Sequence, residues 1–223
     1  MKSIKKHQPT EAAMTNATAV IVKILHRSSV PWALIGGQAL QAHGVPRNTL
    51  DQDILVPLES LVGTALMLAG QKGWKPLRYS KRTGDYVVAP VTTIHHMDDP
   101  VLYDIGQQRT MIPLLAPGGV IVEILAAQHP VESDMIDGSV LTRHRGCYVP
   151  LAPLGGILLV KVKADRTKDV AAVEQAAESL PSADLRKAVR WAEKRDPATA
   201  QDLASIVEAT KLRRNPVRTR KAR

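Results

Sequence analysis

Apolar and polar positions switch between two periods along the chain, and the switches divide it into elements. Over residues 10–25, Ala13, Ala17, Ile21 and Leu25 recur at helical spacing behind a candidate N-cap, Thr10, and predict a helix. A Ser-Ser-Val-Pro break follows, and residues 32–35 form a short apolar run read as a buried strand. Gly36 and Gly37 predict a tight turn into a helix over 38–43, which Gly44 ends and Pro46 prevents from continuing. Residues 50–56 are a second strand closed by Pro57, and 58–71 an amphipathic helix stopped by Gly73. From Trp74 onward the pattern turns to strands over 75–79, 86–91, 92–97, 101–105 and, most strongly, 120–125. Beyond Pro130 the chain reads as helical again, with helices over 153–166, 167–180, 182–195 and 197–213 and N-cap candidates at Thr167, Ser182 and Asp196. The expected fold class is α+β. A mixed sheet flanked by helices is expected over residues 1–150, a helical segment over 151–210 and a basic, disordered tail over 211–223.

Composition narrows this picture. A chain of 223 residues can bury one sizeable domain, or one domain plus a small appendage. It contains no phenylalanine, so the core is expected to be aliphatic, and base stacking would fall to Trp32, Trp74, Trp191 or the four tyrosines. A single cysteine, Cys147, excludes an internal disulfide framework and a cysteine-based zinc site and fits a reducing cytoplasm. No local pattern marks it as a nucleophile, and it reads as a partly buried thiol. The basic residues near the start lack the apolar stretch of a secretory signal. The longest uncharged window, 146–160, is interrupted by prolines and glycines and falls short of the roughly 18 residues of a membrane span. A soluble, cytoplasmic protein without membrane contact is expected. The net charge of +9 is uneven: residues 211–223 hold seven basic side chains and no acidic one. That tail reads either as an arm for nucleic-acid phosphates or as a solvated terminus.

The candidate chemistry lies on the second strand. Strand alternation places Asp51 and Asp53 on one face and Gln52 and Ile54 on the other. Two carboxylates so placed repel by on the order of a few kcal/mol at an effective dielectric near 20. A hard divalent cation between them removes that cost, and carboxylate-held Mg²⁺ commonly serves phosphate chemistry. Glu123 is a lone carboxylate in an apolar strand. Burial of an unpaired charge is costly, so Glu123 belongs either to a site or to a structural partner such as Arg47 or Lys161. Lys161, Asp165 and Lys168 fall on one helical face, where ordinary salt bridging is a sufficient account. His95 and His96 would face opposite sides of a strand and, with Asp98 and Asp99, read as a surface strand and turn rather than a zinc or manganese site.

Gly36-Gly37, then thirteen residues, then Asp51-Gln52-Asp53 ahead of an apolar run resemble the signature of the DNA polymerase beta-like nucleotidyltransferase superfamily. With Arg47 and Thr49 the string is similar to small bacterial nucleotidyltransferases related to abortive-infection toxins of toxin–antitoxin systems. VIVEIL at 120–125 and LLVKVKADRTKD at 158–169 extend the resemblance over residues 33–169. It implies a nucleotidyltransferase-type mixed sheet and metal-dependent transfer of a nucleoside monophosphate from an NTP to an acceptor hydroxyl. Asp51, Asp53 and Glu123 would then be the catalytic ligands of Mg²⁺ or Mn²⁺. Gly36, Gly37, Arg47, Thr49 and Lys161 would bind the nucleotide, the glycines because a side chain there would block backbone N–H groups from the phosphates. The implied partners are an NTP, an RNA or tRNA acceptor reached through the tail, and an antitoxin. A protein or an aminoglycoside-like acceptor fits the same site. A second reading is a nucleotide- or nucleic-acid-binding module that keeps this fold without turnover.

Overall fold

In the computed structural model, which describes residues 8–80, 85–95 and 111–214, Thr10 acts as the N-cap its position predicts. Its hydroxyl accepts from Ala13 N at 3.2 Å and starts α1 (Glu11–Arg27), whose buried stripe is Met14, Ala17, Thr18, Ile21 and Leu25. β1 (Ala33–Ile35), α2 (Gly36–Ala42) and β2 (Asp51–Pro57) follow. The expected helix after β2 begins instead as a 3₁₀ turn, Leu58–Ser60, before α3 (Leu61–Ala69). Next come β3 (Lys75–Ser80) and β4 (Asp85–Val88), a short α4 (Thr92–His95), β5 (Met111–Leu115) and β6 (Ile121–Ala127). α5 (Pro130–Asp137), β7 (Val140–His144) and β8 (Cys147–Leu151) complete this part. Four helices end the described chain: α6 (Leu154–Ala164), α7 (Thr167–Ser179), α8 (Ser182–Glu193) and α9 (Pro197–Arg214).

The described residues form two units, one of residues up to 42 with 47–152, the other of 43–46 with those from 153 onward. In the first, eight strands make one mixed sheet in the order β4-β3-β5-β6-β2-β1-β8-β7. β2 lies antiparallel to β1 and parallel to β6. Gln52, Ile54 and Val56 stand opposite Val122, Ile124 and Ala126, and all six are buried. Beneath this face lies α1, joined to it by the Thr18–Gln52 hydrogen bonds. Each fully buried aliphatic side chain here, Ile21, Leu25, Ile54 or Ile124, contributes about 1.5–3 kcal/mol of burial. The opposite face carries Asp51, Asp53 and Glu123, all only half-buried.

The second unit is a set of four helices. Small residues let them approach closely: α6 buries Gly155 and Gly156, and α7 buries Ala172, Ala176 and Ala177. A Cβ on Gly155 would overlap the Ala188 carbonyl of α8. α6 stops two residues sooner than its pattern suggests, because Asp165 takes a left-handed conformation (φ 48°) as the C-cap. Asp196 caps α9 as expected, accepting from Thr199 N at 3.1 Å. α7 and α8 instead have Arg166 and Pro181 at their N-caps, one residue ahead of Thr167 and Ser182.

Three further segments depart from the sequence expectations. Residues 92–95 form a helical turn rather than a strand. β5, with a proline at its centre, was not foreseen. Residues between 130 and 153, read as helical, hold α5 and then the β7–β8 hairpin. The expected strand at 101–105, His96, Asp98, Asp99 and the tail from 215 lie outside the described residues. No helix among the described residues is long and apolar enough to cross a membrane.

Candidate functional site

The site is built where β1 hands the chain to α2. Ile35 is paired in register with Asp53, so the residue after it, Gly36, meets the Asp53 side chain. Gly36 is left-handed (φ 67°), and a Cβ there would overlap Asp53 Oδ2 and stand 2.7 Å from Cγ. A Cβ on Gly37 would stand 2.7 Å from Thr49 Oγ1. The glycine pair is thus required twice over, once by a carboxylate and once by a hydroxyl-bearing side chain. Arg47 opens the segment leading to Thr49, and its carbonyl accepts from the Gln41 amide of α2.

Parallel pairing then brings in the third carboxylate. Asp53 is the in-register partner of Glu123 and Asp51 that of Ile121, so Asp51, Asp53 and Glu123 occupy one face of two adjacent strands. Glu123 does not enter the aliphatic core. Its Oε1 accepts from the Tyr86 hydroxyl of β4 at 3.0 Å. The donor set suits a hard cation, being all carboxylate oxygen. Among the described residues, however, no three His, Cys, Asp or Glu side chains stand close enough together to hold a metal ion. Asp51, Asp53 and Glu123 therefore share a face without forming such a group.

Lys161 belongs to the second unit. Its ammonium is 2.9 Å from Asp169 Oδ1, and Arg166 Nε is 2.6 Å from Oδ2 of the same carboxylate. The partner of Lys161 is Asp169, not Asp165, since α6 ends before Asp165. Burial pushes the Asp169 carboxyl upward, but hydrogen bonds and charge from Lys161 and Arg166 outweigh it and hold the group below its ordinary value.

Two further arrangements escaped sequence reasoning. Tyr86 carries no local signal, because two other strands separate β4 from β6 in the sheet order. The other surrounds Gln38, 1% exposed on α2. Its Oε1 accepts from Arg145 Nε at 2.9 Å and lies 3.1 Å from His144 Nε2, which ties the β7–β8 hairpin to the helix that follows the glycines. Burial, then the Arg145 guanidinium, lower the His144 pKa, against an opposing pull from Glu11.

No protein-family model matches the chain, and no curated protein matches it in sequence. Solved structures do resemble it. The solution structure of the antibiotic-resistance factor ANT(2'')-Ia matches with a TM-score of 0.50 at 14% identity, covering 93% of this chain and 96% of that one. A crystal structure of ANT(2'')-Ia in complex with adenylyl-2''-tobramycin gives 0.48 at 13% identity, over 90% and 98%. An antigenic nucleotidyltransferase-like protein from Paracoccidioides brasiliensis gives 0.43 at 16% identity, over 89% and 93%. At such identities the likeness is one of fold: a mixed α+β sheet of the nucleotidyltransferase type with a helical C-terminal region.

Proposed function

We propose that the protein is a metal-dependent nucleotidyltransferase that moves a nucleoside monophosphate from an NTP to an acceptor hydroxyl and releases pyrophosphate. The observation that carries this reading is the fit of Asp53 against Gly36, with Glu123 beside it in register on the same face. Asp51 and Asp53 would hold Mg²⁺ or Mn²⁺, with Glu123 as the third ligand. A bound cation of this kind neutralises charge on the triphosphate and lowers the pKa of the attacking hydroxyl. Gly36 and Gly37, lacking side chains, leave the backbone N–H groups at the start of α2 open to phosphate oxygens. Thr49, packed at Gly37, offers a hydroxyl beside them, and Arg47 supplies charge at the same end of β2.

The test is transfer of label from each NTP, with Mg²⁺, to total RNA or to hydroxyl-rich small molecules. Asp51→Ala and Asp53→Ala are each expected to lose about a thousandfold in rate, matching several kcal/mol of transition-state stabilisation. Label on RNA would assign a nucleic-acid acceptor and open the toxin–antitoxin reading; label on a small molecule would close it. The reading as a binding module without turnover is favoured by one observation, the engagement of Glu123 Oε1 by the Tyr86 hydroxyl. NTP binding with no transfer to either acceptor class would establish it.

A further inference from the structure

Tyr86 is built firmly into the edge of the candidate site. Its backbone N–H donates to its neighbour Asp85 Oδ1 at 2.8 Å, and its ring stands edge-on to Tyr79, centroids 6.2 Å apart at 85°. From there its hydroxyl reaches Glu123 Oε1 at 3.0 Å. A hydroxyl donated to a carboxylate is among the stronger hydrogen bonds a side chain makes. It commits Oε1 of Glu123 to Tyr86, and among the described residues no three His, Cys, Asp or Glu side chains form a group able to hold a metal ion.

The geometry points to Tyr86 as a latch on Glu123: its hydrogen bond occupies Oε1 of the third carboxylate, and a divalent cation gains that oxygen only by displacing it. This rests on the carboxylate face being a cation site, as proposed above. The latch opposes metal binding, so its removal should strengthen binding. That sign is the reverse of what is expected of a residue that orients a ligand in place. Tyr86 thereby becomes a positioning residue, acting through Glu123.

The experiment is a Mn²⁺ titration of the full chain, without nucleotide, followed by the electron-paramagnetic-resonance signal of free Mn²⁺. Tyr86→Phe is expected to bind Mn²⁺ about tenfold more tightly, the scale set by losing one hydrogen bond to a charged group. In a Glu123→Gln background the same substitution should change binding by less than about twofold, because no charge remains to be released. Tyr79→Phe, which leaves the Tyr86–Glu123 bond in place, should bind as the wild type does. Unchanged or weaker binding by Tyr86→Phe overturns the latch, as does an equal gain in the Glu123→Gln background. Asp53→Ala separates this outcome from failure of the site itself. Loss of Mn²⁺ binding in Asp53→Ala with no effect of Tyr86→Phe leaves the cation site standing and removes only the latch. A wild type that binds no Mn²⁺, or an Asp53→Ala variant that binds equally well, removes both.

Discussion

Gly36→Ala would probe the junction on which the site depends. Gly36 sits at φ 67°, a region that costs an alanine roughly 1 kcal/mol or more. The added methyl would also overlap Asp53 Oδ2 and stand 2.7 Å from Cγ and 2.9 Å from Cβ, so the carboxylate or the β1–α2 turn must move. Overpacking of this kind costs about 1–3 kcal/mol, for a total of roughly 2–4 kcal/mol. With a urea m-value of about 2 kcal/mol/M, the midpoint should fall by about 1–2 M. Trp32 and Trp74, both buried in the first unit, supply the fluorescence signal. The decisive comparison repeats the substitution in an Asp53→Ala background, where the Oδ2 and Cγ contacts are gone and only the 2.9 Å approach to Cβ is left. There the cost should shrink by about 1–2 kcal/mol. An equal midpoint shift in both backgrounds would show that backbone conformation alone, and not the fit of Asp53, makes Gly36 necessary.

Two other perturbations read out different parts of the structure. Thr18 and Gln52 form a buried polar pair beneath the sheet, and the Thr18 hydroxyl also donates to Met14 O at 2.9 Å. Thr18→Val should therefore strand the Gln52 amide and cost about 1–3 kcal/mol, whereas Gln52→Leu leaves Thr18 bonded and should cost less than about 1 kcal/mol; paired urea titrations would test the asymmetry. Asp169 is almost wholly buried with Lys161 and the partly exposed Arg166 on its two oxygens, so Asp169→Asn should cost about 1–3 kcal/mol at pH 7. Because its native pKa is depressed, that contribution is complete above the ordinary value of about 3.9 and is lost as pH falls from there through the lower native value. Thermal melts from pH 7 down to acid should show the gap between wild type and variant narrowing below about pH 4, and a constant gap would refute the assignment.

The carboxylate face was legible because strand alternation is strict: once 50–56 is a strand, Asp51 and Asp53 must share a side. That Glu123 belongs with them was expected only through the resemblance at 120–125, since the local pattern carries no pairing information. β5 was hidden by Pro113, which reads as a strand breaker. Ala116 N donates to Val120 O at 2.8 Å, which sets the alternation of the antiparallel β5–β6 ladder and leaves Pro113, opposite Glu123, in a non-hydrogen-bonded pair. Its missing N–H is then turned toward β3, which pairs only with Leu114 and Leu115, so no ladder bond is lost. The β7–β8 hairpin was hidden by its turn. Arg145 and Gly146 both take positive φ, 48° and 77°, as a type I′ turn demands, but arginine is not among the residues that announce one. Arg145 is held there by Gln38 and Glu11, tertiary contacts that override local preference.

The in-register pairing of β2 with β6 has a kinetic side. Asp53 and Glu123 are neighbours in the sheet but about 70 residues apart along the chain. Such a contact forms only after a long loop has closed, and parallel pairing gives no short hairpin to begin from. A nascent or proteolysed chain that stops before Ile121 carries both aspartates, yet lacks the third carboxylate and leaves that edge of β2 bare. The carboxylate face therefore comes into being in one late step, and fragments of the protein should be inert and prone to edge-to-edge association rather than partly competent.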